Sequence, residues 1–148
     1  MTWLRHLDWP PVWLALAMAI ASALGALGSP LGDWSRWPGW LVIAAGVALM
    51  IWAALEFRRA RTTIVPRAEP AALVEGGPYR FSRNPIYIAD LVILAGWVLT
   101  TGQPLGLLLL WPLARVFERR FILPEEAMLE SRLGEGYRAY RARTRRWL

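Results

Sequence analysis

Apolar residues gather into four runs along the chain, separated by proline, glycine and charge. Pro11 to Gly28 holds no charged side chain over eighteen residues, and Pro38 to Leu55 holds none over another eighteen. At about 1.5 Å of rise per residue, each is about long enough to cross a hydrocarbon core. Pro85 to Thr101 is apolar apart from Asp90. The last run starts at Pro104 and continues past Ala114 through Arg115, Val116, Phe117 and Glu118 toward Phe121, and Gly102-Gln103-Pro104 leaves only a tight turn before it. The pattern predicts an all-α polytopic membrane protein with about four transmembrane helices and short cytoplasmic C-terminal helices. It reads as one domain, 1–148: two N-terminal spans in 1–56, a cytoplasmic loop in 57–84, and a helical hairpin with a cytoplasmic tail in 85–148. No small-x-small cleavage site precedes a soluble segment, so the first run is expected to be a span and not a signal peptide.

The tail carries its own helical signals. Pro124-Glu125-Glu126 reads as a helix start, with proline in the first turn and acids where the helix dipole favours them. Met128, Leu129 and Leu133 give an apolar stripe, and Gly134 or Gly136 ends it. Beyond, Tyr137, Tyr140, Thr144 and Trp147 recur at spacings of three and four, with Arg138, Arg141 and Arg145 on another face. That spacing suits a helix lying on a membrane surface.

Charge orients the chain. The net charge is +6 although 56% of residues are hydrophobic and the mean hydropathy is +0.32, so charge and apolar mass are segregated. All the cationic side chains are arginine. Arg58, Arg59, Arg61, Arg67, Arg80 and Arg83 lie between the second and third runs, and nine more lie from Arg115 onward, whereas the first connection holds only Arg36. By the positive-inside rule both termini, the middle loop and the tail are expected on the cytoplasmic side, in a bacterial inner membrane. The chain has no cysteine, and His6 is its one histidine, which excludes disulfides, thiolate metal sites, a cysteine nucleophile and histidine metal clusters. No metal is expected, and nothing points to nucleic acid. Chemistry must come from a cofactor, carboxylates, tyrosine or arginine.

Two stretches stand out, "ALVEGGPYRFSRNPIY" and "PEEAMLESRLGEGYRAYRARTRRW". Together, across roughly the last eighty residues and in order, they resemble the isoprenylcysteine carboxyl methyltransferase family and related bacterial and phospholipid integral membrane methyltransferases. The shared pattern is Gly-x-Tyr, Arg-His-Pro-x-Tyr, a Glu-Glu pair and Phe-Gly-x-x-Tyr-x-x-Tyr. Asn84 stands where the family usually has histidine, and Leu133 where phenylalanine commonly precedes the glycine.

The resemblance implies S-adenosylmethionine held on the cytoplasmic side between middle loop and tail. Carried across residue by residue, it implies cofactor contacts at Ala71, Ala72, Leu73 and Val74, at Tyr79, at Asn84, Pro85, Ile86 and Tyr87, and at Glu125. Those residue types suit an adenosine joined through a sulfonium to an amino acid, which needs an apolar or aromatic slot and a carboxylate for its ammonium. Backbone contacts at position 84 survive the change to asparagine. Arg120 is the nearest replacement for an arginine that lines the acceptor site in relatives, where Phe121 stands here. Glu126 is the candidate for proton removal from an amine or thiol, with Asp90 or tyrosine as other choices; a carboxylate acceptor needs no base. The expected partners are membrane lipids and a lipophilic small-molecule or lipidated acceptor entering from the bilayer. Two other classes stay open: a sterol-reductase-like enzyme using a nicotinamide cofactor, and a non-catalytic membrane scaffold. Asp90, Tyr137 and Tyr140 each have a structural reading beside a functional one.

Overall fold

The computed structural model describes residues 8–62 and 72–148. Ala71 and Arg67 lie outside the described residues. Among the described residues all regular elements are helical: α1 (Pro10–Gly25), α2 (Arg36–Arg59), α3 (Pro85–Thr101), α4 (Leu110–Phe117), α5 (Leu123–Leu133) and α6 (Glu135–Arg143). Proline and glycine set the limits of α3, and proline the start of α1, as the sequence pattern predicts. Pro10 and Pro85 occupy the first turns of α1 and α3, where the missing N–H costs nothing. Gly102, at φ 69°, closes α3 in the left-handed region and donates its N–H to Leu99 O.

One apolar helix, Asp33–Arg59, is long enough to cross a membrane, and α1 and α3 are shorter apolar helices. The first predicted span is thus trimmed to Pro10–Gly25, because the backbone turns beyond it and Gly28 has φ 122°. The exterior is markedly apolar: Trp37, Leu41, Ile51, Leu108 and Trp111 are all exposed. Such a surface suits lipid.

The α2–α3 pair packs backbone to backbone. A Cβ on Gly96 would sit 2.7 Å from Ile43 N and 2.8 Å from Gly39 O, and one on Gly39 would sit 2.7 Å from Thr100 N. Small residues at such a seam allow close helix approach where lipid supplies no hydrophobic drive. On its other side α3 meets α1, where Trp97 Nε1 donates to Ser22 Oγ at 2.9 Å. Ala17, Ala21, Leu94, Val98, Leu113, Phe117, Phe121 and Ile122 form the core between them.

The fourth run does not break before the tail. A 3-10 segment (Pro104–Leu109), α4, a π-turn (Glu118–Ile122) and α5 follow without interruption. Pro124 therefore falls inside a continuing helix, and the widened π-turn just before it absorbs the hydrogen bond that proline lacks. The tail also departs from the surface-helix expectation. The final helix α6 stops at Arg143, Thr144 is extended (φ −123°, ψ 131°), and Tyr137 and Tyr140 are 1% and 3% exposed. They anchor the tail to the protein and not to lipid.

Candidate functional site

The site forms where the segment before α3 meets the tail. Residues 82–84 run beside the last residues of the chain: Ser82 bridges Arg145 in parallel, and Arg83 N–H donates to Arg145 O at 2.9 Å. Ser82 Oγ and Asn84 Nδ2 both donate to Arg146 O, at 3.1 and 2.9 Å. Asn84 N–H in turn donates to Ser82 Oγ at 3.0 Å. Position 84 thus contributes its side chain, and what that side chain holds is the tail. A second tie comes from Tyr140, whose hydroxyl donates to Tyr79 O at 2.8 Å. Tyr140→Phe is expected to cost about 1 kcal/mol, the net worth of one buried hydrogen bond, read as a small drop in the thermal midpoint in detergent.

Glu126 lies at the centre of an ion network. Arg83 donates to its Oε1 through Nε (3.1 Å) and Nη2 (2.8 Å), while Arg146 donates through Nε to Oε1 (3.2 Å) and Nη2 to Oε2 (2.8 Å). Arg146 continues to Glu118 at 2.9 Å, and Arg83 Nη1 caps Thr144 O at 2.7 Å. Burial pushes the Glu126 carboxyl up, but the hydrogen bonds and charges of Arg146 and Arg83 outweigh it and hold it below its ordinary range. Bonded this way, Glu126 is a poor proton acceptor. Its geometry is that of a clamp joining the pre-α3 segment to α5 and the C-terminal residues.

The other predicted residues separate into two groups. Tyr79 packs edge-on against Phe57 at 5.5 Å in a cluster with Ala53 and Val74, against which Ile86 also rests. Leu73 is half-buried, and Ala72 N–H reaches Thr62 Oγ1 at 3.4 Å. Tyr87 is buried against Phe117 (5.2 Å) and Phe121 (6.3 Å), and its hydroxyl donates to both Glu125 oxygens at 3.0 and 3.2 Å. Pro85 is buried at the head of α3. These residues come together at one end of the helices. Arg120 does not join them: it donates to Asp8 at 3.2 Å, lies over the Trp13 ring at 5.1 Å, and its side chain is 53% exposed. Phe121 is buried against Tyr87.

Sequence reasoning missed Arg83, Arg146 and Ser82 as the residues that hold the site together. Arg83 and Arg146 lie 43 and 20 residues from Glu126, too far along the chain for a local pattern to pair them. Tyr137 is the one buried side chain among the described residues whose polar atom has no partner. Burial, then the nearby Glu126 charge, pushes its hydroxyl up to about 12.

A small all-helical protein, apolar on its exterior and carrying aromatic and carboxylate side chains at one end, has the build of a membrane-associated enzyme. The phospholipid methyltransferase family model matches residues 34–136, and the chain belongs to that family. Its general kind of activity is therefore methyl transfer, at a membrane. An uncharacterized protein of Haemophilus influenzae is 38% identical over 63 residues, which cover 43% of this chain and 100% of that protein. No solved structure matches.

Proposed function

We propose that this chain is an S-adenosylmethionine-dependent methyltransferase whose cofactor lies on the cytoplasmic side, between the segment before α3 and α5, and whose acceptor is lipid-like. The observation that carries the reading is the Tyr87–Glu125 pair beside an apolar and aromatic surface. A carboxylate fits the cofactor's ammonium, and Val74, Tyr79, Ile86 and Tyr87 offer the apolar and aromatic wall that its adenosine needs. When bound, the cofactor supplies an activated methyl group on a sulfonium. The chain's own task is to hold, align and dry the reacting groups. Four spans, with α4 and its preceding 3-10 segment as the fourth, put loop and tail on the same face, and the cytoplasmic bias of arginine supports that topology. Arg120, paired at the rim with Asp8, serves as a lipid-surface contact in this reading, and Glu126 as the clamp.

Isothermal calorimetry on the purified protein tests this. The native chain is expected to bind S-adenosylmethionine, and Glu125→Ala to weaken it by about 1.5–3 kcal/mol, the scale of a hydrogen bond to a charged group. Unchanged affinity in a folded Glu125→Ala protein removes Glu125 from the site. A native protein that binds no S-adenosylmethionine overturns the cofactor assignment.

A further inference from the structure

An open cavity of about 520 Å³ lies between the 3-10 turn Gly77–Arg80 and the end of α6, lined by Glu75, Gly76, Arg80, Tyr140, Arg143 and Thr144. Its volume is in the range of sites that hold a small ligand. None of Val74, Tyr79, Ile86, Tyr87 and Glu125 is on its wall, so it is not the proposed cofactor surface. Tyr79 stands between the two. Its ring packs on Phe57 in the apolar cluster, while its carbonyl oxygen takes the hydroxyl of Tyr140, which lines the cavity.

Two of the three charged side chains on the wall are arginines, and they differ in how they are held. Arg143 Nη2 donates to Glu75 Oε2 at 2.6 Å, and its Cζ lies 5.8 Å from the centre of the Tyr140 ring. Arg80 is exposed and makes no hydrogen bond or ion pair among the described residues. One guanidinium is thus set in place and the other is uncommitted. Glu75 and Arg143 are 39% and 58% exposed in their side chains, and ion pairs open to water in this way hold weakly. Arg143 can therefore exchange a carboxylate for a stronger bidentate acceptor, and phosphate is the group that suits a guanidinium fork.

Position favours a lipid over a dissolved ion. Asn84, the residue before the apolar helix α3, holds Arg146 O two residues past Thr144, so this wall of the cavity is at the head of that helix. Phe81, next after Arg80, is 68% exposed, and an exposed ring beside arginine is the composition of a segment seated at a bilayer surface. We propose that the Arg80–Arg143 cavity binds the phosphate of an anionic lipid headgroup, and that Glu75 is the internal competitor which the phosphate displaces. The bound lipid is an anchor and not a methyl acceptor. Bridged by one phosphate, Arg80 and Arg143 tie the 3-10 turn to α6, the same two parts of the chain that the Tyr140 hydroxyl joins.

Calorimetry on full-length protein in uncharged detergent, with no methyl donor present, provides the test. Native protein is expected to bind dioctanoyl phosphatidylglycerol about tenfold or more tightly than dioctanoylglycerol, which lacks the phosphate, and inorganic phosphate about tenfold or more weakly than the lipid. The lipid affinity should fall as salt is raised. Arg80→Gln and Arg143→Gln should each weaken the lipid by about tenfold, and Arg80→Gln should leave S-adenosylmethionine affinity within about twofold. Glu75→Gln should tighten the lipid by about threefold or more, a gain that no loss of folding produces. Equal binding of the two dioctanoyl compounds by native protein overturns the site, as does undiminished lipid binding in both arginine variants or weaker binding in Glu75→Gln. Inorganic phosphate bound as tightly as the lipid overturns the headgroup as its occupant. A native protein that binds phosphatidylglycerol but no S-adenosylmethionine overturns the cofactor reading alone and supports the lipid site.

Discussion

Glu126→Ala is expected to destabilise the protein by about 3–5 kcal/mol, because it leaves two arginines facing each other across a buried gap. The side chains of Arg83 and Glu126 are each only 9% exposed, so solvent screens little of the loss. Three parts of the chain lose their common tie at once: the segment before α3, α5, and the C-terminal residues that Arg83 also holds through Thr144 O. Thermal melting in detergent reads the effect, and a change below about 1 kcal/mol would show that the network adds little beyond a surface pair. The same network sets a pH dependence. Because the folded-state carboxyl titrates below its unfolded value of about 4.3, the clamp contributes fully above that pH and its contribution is lost as pH falls through the lower folded value. Glu126→Gln keeps the volume, removes the charge, and should flatten the acid limb of the stability profile.

Gly96→Ala is expected to cost about 1–3 kcal/mol, and Gly96→Val more, although both replacements favour burial in an apolar span. The added carbon would meet Ile43 N at 2.7 Å and Gly39 O at 2.8 Å, both backbone atoms of α2 that yield only if the helices separate. Gly46 repeats the constraint two turns along α2, with Ile93 Cγ1 at 2.7 Å and Ala89 O at 3.1 Å. Since α3 carries Tyr87, parting the pair would also disturb the candidate site. Gly136→Ala provides the control. Nothing lies within 4 Å of that position in α6, and the substitution should stabilise by up to about 1 kcal/mol through helix propensity. Equal melting shifts of the same sign in the two variants would contradict the close seam.

The helices were legible before any contact was known, since their signals are local. Pro85 and Gly102 bracket α3, Gly134 stops α5, and uncharged runs mark the segments that must satisfy their own backbone in an apolar setting. The motif residues were legible too, as types suited to a charged, aromatic-bearing cofactor. What no local pattern could decide was the job each polar side chain performs. Asn84 holds Arg146 O across sixty-two residues, Arg83 reaches Glu126 across forty-three, and Tyr140 reaches Tyr79 O across sixty-one. Spacing therefore could not tell a base from a clamp at Glu126, or a lipid anchor from a buried wedge at Tyr137 and Tyr140. Sequence alone determined the limits that proline and glycine set, at Pro10, Pro85, Gly102 and Gly134, because such signals act within a turn or two. Only the tertiary structure decided that Glu126 is neutralised and that Arg120 faces away, because a buried charge is defined by whatever the fold brings against it.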